Sequence, residues 1–257
     1  MYSEAESKKS KRGGIMMHTK EFKNLIHDST AALAKIVAEE QAHEKDLLDT
    51  KTRQKKIQHE LEEDIKQRTQ KMHDGLQACI LSLRQCTDLP ISADALVQEL
   101  HTCFQKIDNA KTLSQFGQGV LQGTSWKTSL GISNDCMQTL YRGAAALFER
   151  KEYVNAEKAF FVVCSLDPTQ SGYWIGLGHS SFQVHNYPQA INAYSMASAL
   201  DPQNVWPHIW AANTFEKEND FVYAKMALEE ALILLQSQKP KNQELIQELQ
   251  ARIQIKH

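Results

Sequence analysis

Three stretches of this chain carry one pattern of small and large residues at an interval of 34 residues. Tyr153, Tyr187 and Phe221 fall in register, followed by Ala156, Ala190 and Ala224, by Phe160, Tyr194 and Leu228, and by Val163, Ala197 and Ala231. Asp167-Pro168 and Asp201-Pro202 close the first two copies at one offset. A unit this short cannot bury its own apolar face, so the copies must stack on one another. The small residues let neighbouring elements approach closely, and the large ones fill the space to the next copy.

A 34-residue period with a small residue, a large one four on and a small one three further is the tetratricopeptide signature, two helices per copy. The middle copy has Trp174, Leu177, Gly178, Tyr187, Ala190, Tyr194, Ala197 and Pro202 at consensus positions. The first keeps Leu140, Ala144, Tyr153, Ala156, Phe160 and Pro168; the third keeps Ala212, Phe221, Ala224 and Ala231 but lacks the closing proline. Terminal repeats depart from consensus because one side faces solvent or a cap. The expected fold is all-α: a long N-terminal helix or coiled-coil region, then a three-repeat tetratricopeptide superhelix with a C-terminal capping helix.

The rest of the chain excludes several function classes. A net charge of −2 over 257 residues leaves no basic footprint for nucleic acid. There is no run of about 18 apolar residues, so no stable membrane insertion is expected. The five cysteines, Cys79, Cys86, Cys103, Cys136 and Cys164, are widely spaced without CxxC pairs and fit a reducing compartment, where free thiols act as small buried hydrophobes. Cys79 and Cys86 would share a helix face. The ten histidines are dispersed, and no metal-ligand spacing, nucleophile elbow, phosphate loop or dinucleotide fingerprint occurs. No catalytic residue, metal or cofactor is expected, and no enzymatic activity.

Composition divides the chain into four parts. Residues 1–17 carry Lys8, Lys9, Lys11 and Arg12 with few core-forming residues and are expected to form a disordered basic tail; Met1, Met16 and Met17 are all eligible as the start. Residues 18–112 form a helical or coiled-coil region. Its apolar positions Phe22, Ile26, Leu33 and Ile36-Val37 thin out and return at Ile57, Leu61, Ile65, Met72, Leu76, Cys79, Ile80 and Leu83. Roughly half of residues 39–74 are charged, which fits a coiled-coil arm for self-association or docking, or equally a solvated helix folded against the repeats. Pro90 ends that helix, and Ser92 to Thr112 predicts another along Ala95, Leu96, Leu100, Phe104 and Ile107. Gly117, Gly119, Gly123 and Gly131 among Ser and Thr mark 113–133 as a linker. Residues 134–257 are the repeat domain, closed after Pro240 by a helix that Asn242 can cap and whose Leu245, Ile246, Leu249 and Ile253 would cover the third repeat.

In stacked helix pairs the first helix of each pair lines the concave face. Starting the copies at Met137, Ser171 and Val205, that face presents Tyr141, Ala145 and Phe148, then Ile175, His179 and Phe182, then Trp206, Ile209 and Asn213. Such an apolar, aromatic groove suits an extended peptide with spaced hydrophobic side chains, each contributing about 1.5 to 3 kcal/mol on burial. A clamp for an acidic C-terminal tail needs convergent cations, and only Arg142, Asn213 and Lys217 lie nearby.

The stretch from Leu140 to Leu234 resembles the class II type III secretion chaperones, the SycD/LcrH-type translocator chaperones. The likeness rests on Leu140-Tyr141 with Ala144-Ala145, Tyr153-x-x-Ala156 with Phe160, Cys164-x-Leu166-Asp167, Trp174-Ile175-Gly176-Leu177-Gly178, Ala190-Ile191 with Tyr194-Ser195, and Ala211-Ala212. The resemblance implies a bacterial cytoplasmic protein that holds an extended segment of a hydrophobic secreted client in the groove and keeps it soluble until export, without ATP. The extension before the repeats, about 130 residues long, departs from that pattern. It could serve self-association or contact the secretion apparatus. The alternative is a tetratricopeptide and coiled-coil adaptor that assembles a protein complex.

Overall fold

The computed structural model describes residues 50–107, 110–238 and 242–255. The basic tail, the three candidate start positions and the apolar positions from Phe22 to Val37 lie outside them. Every regular element among the described residues is a helix. In chain order these are α1 (Thr50–Leu83), α2 (Ala93–Gln105), α3 (Ala110–Leu121), α4 (Trp126–Leu130), α5 (Asn134–Glu149), α6 (Tyr153–Leu166), α7 (Ser171–Gln183), α8 (Tyr187–Leu200), α9 (Trp206–Lys217), α10 (Phe221–Ser237) and α11 (Gln243–Ile255). They fall into two compact units, one of 50–73 with Asp94–Ile132 and one of Asp74–Ala93 with 133–255.

In the first unit, α1 up to His73 is a charged helix laced by surface pairs one turn apart. Asp64 meets Arg68 at 2.8 Å and Glu63 meets Lys66 at 3.2 Å, each worth a few tenths of a kcal/mol. The buried stripe of α2 is Leu96, Leu100, Cys103 and Phe104. Lys106 Nζ donates to the Leu130 carbonyl at 2.5 Å and Cys103 Sγ to that of Gly131 at 3.7 Å, tying the end of α2 to the end of α4.

Two expectations change here. The helix expected over Ser92 to Thr112 is two helices, because α2 stops at Gln105 and α3 is in place from Ala110. The stretch 113–133, expected to be a linker, holds most of α3 and all of α4. The Ser and Gly residues there punctuate a short helix. The Ser125 hydroxyl accepts the Thr128 N–H at 3.2 Å at the start of α4, and Gly131 ends it at φ 71°, while Phe116 and Trp126 meet edge to face.

The second unit holds the repeats, α5 with α6, α7 with α8 and α9 with α10, each helix packed on the next, and α11 on α10. The register positions do what their sizes require. Ala156, Ala190 and Ala224 have no exposed surface, nor have Val163, Ala197 and Ala231, and Phe160, Tyr194 and Leu228 are buried between them. The turn inside each pair also repeats. Lys151, His185 and Asn219, 34 residues apart, all take positive φ, at 62°, 60° and 60°. Around each, two backbone bonds close the helix end, as in Asn186 N–H to the Ser181 carbonyl and His185 N–H to that of Phe182; this is a Schellman-type stop. Gly176 and Gly178 explain the Trp174-Ile175-Gly176-Leu177-Gly178 motif: a Cβ at 176 would collide with the Phe160 ring, and one at 178 with the Tyr194 ring.

Both ends of the stack are covered. Asp74–Leu83 of α1 lies on α5 and α6, so this part of the long helix folds onto the repeats. Cys86 falls past the end of α1, so it does not share a helix with Cys79. Burial pushes the Cys79 thiol up to about 12, and the Cys164 thiol is raised by the same cause, which fits inert, core-filling sulfur. At the other end, the Asn242 side chain accepts the Leu245 N–H at 3.2 Å, and Ile246 and Leu249 of α11 join Val205, Ile209, Leu228 and Leu235 in one buried cluster.

Candidate peptide-binding groove

The first helices of the three pairs, α5, α7 and α9, carry three sets of ring contacts. Tyr141 meets Phe160 edge to face at 5.9 Å and Tyr173 at 5.4 Å. Phe148 lies 5.2 Å from Tyr153 and 6.3 Å from His179. His179 abuts Trp210 at 4.4 Å, and Trp210 stacks on Trp206 at 6.0 Å. Phe182 packs beside Tyr187 at 5.7 Å. Edge-to-face contacts of this kind fix ring orientation as well as burying area. These rings leave apolar surface outward, since Trp206 is 47% exposed and Tyr141 is also exposed.

His179 sits where the second and third repeats meet. Its Nδ1 lies 2.9 Å from the Tyr194 hydroxyl. Burial lowers the His179 pKa and raises that of Tyr194, so a neutral imidazole and a neutral phenol share the bond. It is a wall residue with a satisfied hydrogen bond.

The candidate positions separate into groups. Tyr141, Phe148, His179, Phe182 and Trp206 enter these ring contacts, and Ala145 and Ile175 are half-buried on the same helices. Ile209 does not line the face. It is buried in the cluster under α10 and α11, because Val205, Ile209 and Ala212 form the core stripe of α9 at steps of four and three. Trp206, Trp210 and Asn213 form the adjoining stripe, so Trp210 takes the place assigned to Ile209; its spacing of four from Trp206 was the available signal. Asn213 is engaged from α11, its Oδ1 accepting from Arg252 at 2.6 Å. Tyr173, absent from the sequence-based set, joins through Tyr141. Arg142 is turned to Asp88, with which it forms an ion pair at 3.5 Å, so Arg142 and Asn213 both have partners within the chain. Among the described residues no cluster of His, Cys, Asp or Glu could hold a metal, and no helix is long and apolar enough to cross a membrane.

Over 114 residues, 44% of this chain and 67% of the relative, the sequence is 29% identical to low calcium response locus protein H of Yersinia pseudotuberculosis serotype I (strain IP32953). The repeat region is thus similar in sequence to LcrH proteins. A protein of the same name from Yersinia pestis is 33% identical over 70 residues, 27% of this chain and 42% of that protein. No protein-family model matches the chain. A chain of a T3SS complex from Aeromonas hydrophila has the same fold, with a TM-score of 0.50 and 20% identity over 55% of this chain and 94% of that one. The contacts of Phe148 with His179 and of His179 with Trp210 connect the first helices of the three copies.

Proposed function

We infer that the chain is a bacterial, cytoplasmic type III secretion chaperone that keeps a hydrophobic translocator or effector soluble before export. It does so by holding an extended segment of the client against α5, α7 and α9. The observation that carries this is the set of ring contacts from Phe148 through His179 and Trp210 to Trp206, with Tyr141 and Tyr173 beside it, on repeats similar to LcrH. Its exposed rings offer apolar area to a segment that would otherwise aggregate or insert into a membrane. Tyr141, Ala145, Phe148, Ile175, His179, Phe182 and Trp206 form the binding face, with Trp210 and Tyr173 added to it and Ile209 removed to the core. No catalytic step is assigned to any of them; the work is masking and release.

An adaptor that assembles a complex is the second reading, favoured by the separate unit of 50–73 with Asp94–Ile132. Co-expression of the tagged chain with a hydrophobic translocator, compared with a Tyr141→Glu/Trp206→Glu variant, separates the two. The chaperone reading expects the client to stay soluble with the wild type and its recovery to fall at least about tenfold with the variant, whose melting curve is unchanged. Equal recovery with both proteins would remove the groove from the mechanism. Stable capture of soluble apparatus components, with the hydrophobic client insoluble, would favour the adaptor.

A further inference from the structure

His179 is the ring through which the first helices of the three copies meet, and it has one polar atom to spare. It lies 6.3 Å from Phe148 of α5 and 4.4 Å from Trp210 of α9, and its Nδ1 is held at 2.9 Å from the Tyr194 hydroxyl of α8. Nε2 has no hydrogen-bond partner among the described residues, and it is not sealed from solvent. An extended apolar segment laid on this face brings a main-chain carbonyl and N–H with every residue, and its side chains cannot satisfy them. A carbonyl pressed against the rings without a donor costs about as much as burying an apolar side chain gains. The face therefore needs a donor within it as well as rings.

Tyr194 decides what Nε2 offers. Burial lowers the His179 pKa, so the imidazole carries one proton, and the bond made by one ring nitrogen sets which nitrogen holds it. A phenol donates more readily than it accepts. Its O–H therefore points to Nδ1, and the imidazole proton goes to Nε2.

We propose that His179 Nε2–H is the polar subsite of the groove, donating to one main-chain carbonyl of the bound segment and fixing its register between the second and third repeats. This rests on α5, α7 and α9 being the client face. Tyr194 acts through His179 as a positioning residue, since it holds the ring and its tautomer. The bond reads the main chain, so it selects an extended segment over a helical one, whose carbonyls are already paired with its own N–H groups. Side-chain preference is left to the rings around it.

The test uses overlapping peptides tiled through the hydrophobic translocator of the co-expression experiment, bound to the full-length chain and followed by fluorescence anisotropy. In the tightest-binding peptide each amide in turn is replaced by an ester, which weakens one carbonyl as an acceptor. Wild type should lose about tenfold in affinity at one ester position. His179→Phe keeps a ring but no donor. It should bind the all-amide peptide about tenfold more weakly and be indifferent to that ester. His179→Gln, which keeps an N–H donor, should recover part of the ester effect, and Tyr194→Phe should reduce it by about threefold. A wild type with no sensitive ester position overturns the proposal even if His179→Phe fails to fold. So does an ester effect of the same size in His179→Phe, which would belong to another donor. Peptide binding that is unchanged in Tyr141→Glu/Trp206→Glu would instead remove the client face itself, and the subsite with it.

Discussion

At the first repeat, residues Asp74–Leu83 close the stack through glycine; at the third, α11 closes it through side chains. Gly75 lets α1 touch the backbone of α6, since a Cβ there would overlap the Lys158 carbonyl, and a Cβ on Gly143 of α5 would lie 2.5 Å from Cys79 Sγ. Polar bonds follow the close approach: Cys79 Sγ to the Leu140 carbonyl at 3.2 Å, and Ser82 Oγ to that of Gly143 at 3.1 Å. At the other end Leu249 and Ile246 fill a cluster of aliphatic side chains from α9 and α10. One cap therefore rests on absent volume and backbone proximity, the other on volume supplied. Stacked repeats with identical registers need not be closed by the same means, because a cap has to match only its immediate neighbour.

If that contrast holds, the two caps fail in opposite ways. Leu249→Ala should cost the most, about 3 kcal/mol, because it leaves a cavity under a side chain with no exposed surface. Denaturant unfolding measures the loss, and amide exchange should place it on α9 and α10. Gly75→Ala should cost about 2 kcal/mol by overpacking, since the obstructing atom is a backbone oxygen that cannot rotate away, and its exchange signature should fall on α5 and α6. A Gly75→Ala protein as stable as wild type would mean that α1 shifts bodily, and the contrast between the caps would collapse.

The difference also sets what the sequence could reveal. Leu245, Ile246, Leu249 and Ile253 announce α11 by their spacing, as the 34-residue register announces the repeats, because both are patterns of side-chain volume. Gly75 carries no pattern, since one glycine in a charged helix looks the same whether it faces solvent or a carbonyl. The positive-φ turns were hidden for a related reason: Lys151 and His185 take a conformation that their residue types do not advertise, whereas Asn219 does. On α5, α7 and α9 the period picks out Tyr141, Phe148, His179, Phe182 and Trp206, all of which enter ring contacts. Ile209 was misplaced because steps of three and four on α9 serve two adjacent stripes, and only packing shows which is core.

The smallest effects should come from the ion pairs that fasten each cap, and they sharpen the same contrast. Lys158 Nζ meets Asp74 Oδ2 at 2.8 Å with about a third of each side chain exposed, while Arg252 bridges Glu216 at 3.0 Å and Asn213 at 2.6 Å with 23% of both Arg252 and Glu216 exposed. Lys158→Met should cost about 0.5 kcal/mol, because two solvated side chains gain little by meeting. Arg252→Met should cost about 1 kcal/mol, because it keeps the apolar stem but strips a charge-assisted partner from a more buried carboxylate and an amide. Raising the salt concentration should erase the Lys158 effect before the Arg252 effect, since screening acts first on the more exposed pair. Equal costs with equal salt sensitivity would show that both caps are held by surface electrostatics to the same degree, and that only the apolar contacts distinguish them.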